Sequence, residues 1–160
     1  MALAPTTRWL SKDWPLDRYA ALARRLLDAG TTDRVVVLAA PAEWPRIAPA
    51  FNDLPPTRWA APRTTVGQLM ALLERAQLLV CNDSAALHLA VGLDTPTVSI
   101  FGPTDPARVG PLGQTATVLR PPHAPPGNTH RQQPDDQTLI ASITLDEVMN
   151  AVATHAQTSE

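Results

Sequence analysis

The chain has 160 residues, the length of a single domain large enough to bury a real core. Its 13 Lys and Arg nearly balance 15 Asp and Glu, for a formal charge of −2, which argues against broad nucleic-acid binding because that needs a cationic face. No apolar run approaches the roughly 20 residues of a membrane span, no charged-then-apolar leader opens the sequence, and the lone Cys81 excludes an internal disulfide and fits a reducing, cytoplasmic compartment.

In chain order, "ALAP" (2–5) reads as the tail of a strand ended by Pro5. Residues 16–30 repeat Leu16, Tyr19, Ala20, Ala23, Leu26 and Leu27 at helical spacing, with Pro15 before and Gly30 at the end. "RVVVLAA" (34–40) is the continuous β-branched run of a strand buried on both faces. "EWPRIAPAFNDL" is a weak helix interrupted by Pro45 and Pro49, and "TRWAAP" a short strand. Residues 65–76 form an amphipathic helix with Thr65 as its N-cap. Then come a strand "QLLVCN", a short helix "SAALHLAVGL", a strand "TPTVSIFG" and a further strand "ATVLR". Residues 121–137, rich in Pro, His and Gln, read as one long irregular loop, and a closing helix falls near 144–155. Strands alternating with helices predict βαβ units: an α/β fold, a Rossmann-like parallel sheet with helices on both faces, in one domain over residues 1–160.

In such sheets ligands bind beyond the carboxyl ends of the strands. The polar clusters 6–12, 41–43, 82–84 and 102–105 all fall at such ends. Lys12 precedes a helix, where its ammonium would meet a phosphate as a point charge, with Thr6, Thr7 and Ser11 donating to the same oxygens; the plainer alternative is a solvated lysine on a loop packed down by Trp9 and Trp14. Asp83 or Ser84 would cap the helix after the fourth strand, whose free amides also suit an anion. Because a phosphate would compete with its carboxylate, Asp83 is expected on backbone amides or a ligand hydroxyl. His88 shares the face of Ser84, or is simply a packed residue. Glu43 would accept from ribose hydroxyls, or complement a helix dipole. Asp105 with Pro106 reads as an N-cap, Thr104 as structural, and Gly102 as a point where backbone could approach a ligand. Cys81 is expected to be an inert buried thiol. His123, His130 and His155 lack ligand spacing, so no metal is expected.

Four stretches in this order, "RWLSKDWPLDRYAALARRL", "LAAPAE", "LLVCNDSAALHLAVGLDTP" and "IFGPTDPARVGPLG", resemble the C-terminal half of the ADP-heptose:lipopolysaccharide heptosyltransferases, glycosyltransferase family 9. "LIASITLDEVMNAV" is similar to the family's closing segment, so the likeness covers nearly the whole chain. The resemblance implies the donor half of a GT-B enzyme that transfers heptose from ADP-heptose, with inversion, to the lipopolysaccharide inner core. No cofactor is implied. Lys12 would stabilise the leaving diphosphate, Thr6, Thr7 and Ser11 would line it, and Glu43 would sit near the ribose. Asp83, Ser84, Ala85 and His88 would face the diphosphate and sugar. The general base and acceptor site would belong to an absent N-terminal domain, leaving the isolated chain inactive, and reach to the acceptor would involve peripheral association with the inner membrane face. Two departures stand out: Ala85 where the family usually has Gly, and Ala39-Ala40 where it usually has Gly-Gly. They keep a second expectation open, a non-catalytic nucleotide-binding module or remnant. A different GT-B enzyme, another sugar-nucleotide transferase or epimerase, is a third.

Overall fold

A computed structural model describes residues 1–113, 116–126 and 136–157. Its strands are β1 (Ala2–Ala4), β2 (Val35–Val37), β3 (Trp59–Ala60), β4 (Leu79–Asn82), β5 (Thr97–Ile100) and β6 (Ala116–Leu119). Its α-helices are α1 (Leu16–Asp28), α2 (Trp44–Phe51), α3 (Val66–Glu74), α4 (Ala85–Gly92), α5 (Pro106–Val109), α6 (Asp136–Ala141) and α7 (Leu145–Gln157). The strands form one sheet in the order β3-β2-β1-β4-β5-β6, every pairing parallel. The expected Rossmann-like α/β fold is what forms.

Side-chain alternation along the strands divides the core between the two faces of the sheet. Leu3, Val35, Val37, Val80, Val98 and Ile100 pack with α1, α2 and α7 through Tyr19, Leu22, Leu26, Phe51, Val148 and Val152. Ala2, Ala4, Leu79 and Cys81 pack on the other side with Leu73 of α3 and Leu87 and Ala90 of α4. Cys81 is fully buried, and burial pushes its thiol well above the usual range, so it is inert as expected.

Local chemistry sets the helix ends. Thr65 accepts from the Gln68 amide and caps α3. Gly30, at φ +68°, turns the chain after α1 in the left-handed conformation that suits glycine. Two expectations are corrected here. Pro45 and Pro49 do not interrupt α2: Pro45 sits in the first turn, where a missing N–H costs nothing, and Ile47 and Phe51, one turn apart, are both fully buried and outweigh the bond lost at Pro49. The segment 121–137 is not irregular to its end, because α6 begins at Asp136 and packs on the turn at Leu10–Lys12. Residues 127–135 of that segment, His130 among them, lie outside the described residues. Among the described residues, no helix is long and apolar enough to cross a membrane.

The order of the strands positions the site. Crossovers run one way from β1 to β2 and β3, and the other way from β4 to β5 and β6. The loops that leave β1 and β4 therefore turn away in opposite directions and open a crevice beyond the paired strand ends.

Candidate functional site: a cleft at the tips of the central strands

A cleft of about 710 Å³ opens at that point. One wall is the loop after β1, with Thr6, Thr7, Arg8, Trp9 and Lys12, together with Glu43 from the 3-10 turn after β2. The other is the start of α4, with Asp83, Ser84, Ala85, Ala86 and His88, and Thr64, Thr65, Val66 and Leu69 at the head of α3 complete it. Of the residues expected to hold the nucleotide sugar, Thr6, Thr7, Lys12, Glu43, Asp83, Ser84, Ala85 and His88 line this cleft, and Ser11 does not. The 3-10 turn at Leu10–Lys12 projects Lys12 outward and leaves Ser11 buried, away from the cleft lining.

Asn82 holds the seam together. Fully buried at the end of β4, its side-chain amide donates to the Pro5 carbonyl at 2.9 Å. Its Oδ1 accepts from the Trp14 amide at 3.2 Å and the Tyr19 hydroxyl at 3.0 Å. One side chain thus ties the tip of β1 to the tip of β4 and to the start of α1. Trp14 adds an edge-on contact with Tyr19, their centroids 5.1 Å apart, and its indole N–H donates to the Ile143 carbonyl at 2.8 Å. The loop between these anchors is pinned again at Asp13, which accepts from the Thr7 amide at 2.7 Å and from Arg46 at 2.8 Å. Burial raises the Asp13 carboxyl above its ordinary value despite those two donors.

Inside the cleft Lys12 Nζ stands 2.7 Å from Asp83 Oδ2, and the same oxygen accepts from the Thr104 hydroxyl at 2.8 Å. This corrects the picture of Asp83 on backbone amides: its carboxylate lies against an ammonium and a hydroxyl. The N-cap position of α4 belongs to Ser84, but its side chain makes no capping bond, and its Oγ is buried with no hydrogen-bond partner. Neither side chain satisfies the first amides of α4, which leaves a positive helix end facing the cleft. The Thr6 hydroxyl donates to Glu43 Oε2 at 2.9 Å, which also accepts from the Ala40 amide at 3.0 Å. The Thr7 hydroxyl donates to the Trp9 carbonyl at 2.7 Å. In this state both threonine hydroxyls spend their protons within the protein, so they shape the loop.

His88 is exposed on the cleft wall, and Ala85 presents its methyl at the first residue of α4. Asp105 caps α5 as expected, accepting from the Ala107 amide at 3.0 Å. Gly102 has a packing reason as well: a Cβ there would lie 2.9 Å from Cβ of Ile140, so the packing of α6 favours glycine at this position. Sequence reading missed Arg8, which lines the cleft with its guanidinium 5.6 Å from the Trp9 ring centroid. Its place in the loop after β1 was the available signal. Among the described residues, no three His, Cys, Asp or Glu side chains group closely enough to hold a metal ion.

The model of glycosyltransferase family 9 (heptosyltransferase) matches residues 1–139. The chain belongs to glycosyltransferase family 9. Lipopolysaccharide heptosyltransferase 2 of Escherichia coli K12 is 32% identical over 115 residues, which cover 69% of this chain and 32% of that protein. Lipopolysaccharide heptosyltransferase 1 of Pseudomonas aeruginosa is 33% identical over 113 residues, covering 71% and 31%. The chain therefore spans about a third of the length of these family 9 relatives. Among solved structures, E. coli ADP-heptose lps heptosyltransferase II superposes with a TM-score of 0.84 at 23% identity, over 99% of this chain and 46% of that one. E. coli heptosyltransferase WaaC with ADP superposes at 0.78 and 23% identity, over 96% and 43%. The shared fold is a Rossmann-like half of a GT-B glycosyltransferase, and the family 9 domain seen here places its cleft at the switch point of the sheet.

Proposed function

We propose that this domain binds the ADP-sugar donor, ADP-heptose or a close relative, for inverting transfer to a lipopolysaccharide inner-core acceptor in the cytoplasm. One observation carries the reading: an ammonium, Lys12, and an uncapped helix start, α4, converge on a single cleft at the switch point. That pairing suits a diphosphate. Lys12 supplies a localised charge, and the start of α4 supplies amides that no side chain caps, beside Ser84 Oγ, which has no hydrogen-bond partner of its own. The relatives are lipopolysaccharide heptosyltransferases and one structural neighbour was solved with ADP, which supports the same ligand class.

In the reaction an acceptor hydroxyl oxygen attacks the anomeric carbon, and the bond from that carbon to the diphosphate breaks. ADP departs with the bonding electron pair, and the acceptor's proton passes to a base outside these residues. The contribution of this chain is to steady the charge that grows on the departing diphosphate, a type of stabilisation that is often the largest single effect in catalysis. In this reading Lys12, Arg8 and the α4 amides do this, Glu43 accepts from the ribose, and His88 meets the sugar from the cleft wall. No resident cofactor is needed. The acceptor site lies on a further domain, so the isolated chain binds donor without completing transfer.

Calorimetric titration of the chain with ADP tests the reading. Saturable binding is expected, weakened roughly tenfold or more by Lys12→Ala, the loss of one charge-assisted contact. Ala85→Gly should tighten binding by letting phosphate approach the backbone. No heat with ADP from a folded wild-type chain refutes the donor reading. No binding in the wild type with binding in Ala85→Gly would favour the second reading, that of a remnant whose seat is blocked by the Ala85 methyl.

A further inference from the structure

Thr104 lies outside the cleft lining, yet its hydroxyl reaches into the centre of the site. It sits in the exit of β5, fully buried, between Pro103 and the Asp105 cap that starts α5. A buried hydroxyl in such a turn ordinarily bonds a backbone carbonyl of its own turn. Here it crosses 21 residues of sequence to donate to Asp83 Oδ2, at 2.8 Å, the same oxygen that Lys12 Nζ approaches at 2.7 Å. Asp83 is itself nearly buried, so the orientation of its carboxylate is set by these two donors.

That shared oxygen decides where the ammonium points. Lys12 has three N–H donors, and the one directed at Asp83 fixes the direction of the other two. A carboxylate free to rotate would let the lysine follow it or swing out to water. We propose that Thr104 is a positioning residue of the donor cleft: through Asp83 it holds the Lys12 ammonium aimed at the diphosphate. The inference rests on the donor reading above. It differs from a purely structural role, tying the tip of β5 to that of β4, in one measurable respect. Structural loss would weaken the whole ligand, whereas loss of aim would weaken only the part that Lys12 touches.

The test is a double-mutant cycle on ADP binding, with adenosine as the phosphate-free probe and thermal melting as the control for folding. Thr104→Val replaces the hydroxyl with a methyl at nearly constant volume. ADP affinity should fall about tenfold, within the range that coupled neighbours show. Adenosine affinity should not change, and Thr104→Ser should restore ADP binding. In a Lys12→Ala background, Thr104→Val should cause no further loss. Should the valine variant fail to fold, Thr104→Cys, whose thiol is a weak donor, carries the same comparison with a partial loss expected. ADP affinity within twofold of wild type in folded Thr104→Val overturns the inference. So does a parallel fall in adenosine binding, or full additivity with Lys12→Ala. If wild type binds ADP and Lys12→Ala weakens it while Thr104→Val does not, only this inference falls. If folded wild type binds no ADP, the donor reading fails and takes the inference with it.

Discussion

Asn82→Ala is the substitution that the geometry makes most costly away from the apolar core. It leaves three groups without their partner: the Pro5 carbonyl, the Trp14 amide and the Tyr19 hydroxyl. Each buried group left unsatisfied costs about 1–3 kcal/mol, which bounds the loss near 9 kcal/mol. Water entering the vacated space beside the cleft offsets part of that, and we expect about 3–5 kcal/mol, a large fraction of the ~5–15 kcal/mol that holds a typical domain together. Urea unfolding with linear extrapolation reads the change directly, and the slope should match wild type because the same surface is exposed. A loss under about 1 kcal/mol at unchanged slope would refute the view that Asn82 bears the seam. Asn82→Asp gives a second reading of the same contact. The introduced carboxyl keeps an acceptor for Trp14 and Tyr19, but it can donate to the Pro5 carbonyl only when protonated. Burial and that carbonyl both favour the neutral form, so its folded-state pKa rises above the unfolded value. The variant then falls further behind wild type as pH rises from about 4 to about 7.

Two further predictions concern α6 and α7. Gly102→Ala drives a methyl against Ile140 Cβ at 2.9 Å, and should destabilise by about 1–3 kcal/mol in thermal or urea unfolding; a neutral effect would show that α6 is not held there. At the start of α7, Thr144 and Glu147 cap each other, with the Thr144 amide and hydroxyl donating to Glu147 Oε2 and the Glu147 amide donating to Thr144 Oγ1. Those bonds lower the Glu147 carboxyl below its ordinary value, so its share of stability is present above the usual carboxylate range and is lost as pH falls through the folded value. Thr144→Ala should cost about 1 kcal/mol near neutral pH and less in acid, followed by melting across that range.

What could be read from the sequence was whatever local pattern decides. The β-branched run at Val35–Val37, the apolar spacing in α1 and the Thr65 cap are local signals, and each gave the element it suggested. The position of the cleft was legible too, because a parallel sheet confines ligands to strand tips, and the polar residues of this chain gather there. The rest depends on contacts distant in sequence. Nothing near Pro49 announces that Phe51 is fully buried, nor does anything near Asp136 announce that α6 packs on Leu10–Lys12. Ser11 looked like a companion of Lys12, but one turn of 3-10 helix sends adjacent side chains in different directions. The packing of Gly102 against Ile140 could not be read locally because Ile140 lies 38 residues away. The partner of Asp83 was hidden for the same reason.

The helix α7 spans the seam from behind: it packs on α1 beside the first strands and on β5 and β6 across the sheet. No residue of α7 lines the cleft, whose walls are complete by His88. During synthesis, therefore, all the chemistry of the site leaves the ribosome well before the helix that clamps its two halves. Until residues 145–157 emerge, the β1–β3 and β4–β6 wings are joined by the β1–β4 pairing, Asn82, the Lys12–Asp83 ion pair and the packing of α3 on α4, without the further clamp that α7 adds behind the sheet. The clamp across the seam is thus added only after every residue that lines the cleft has been made.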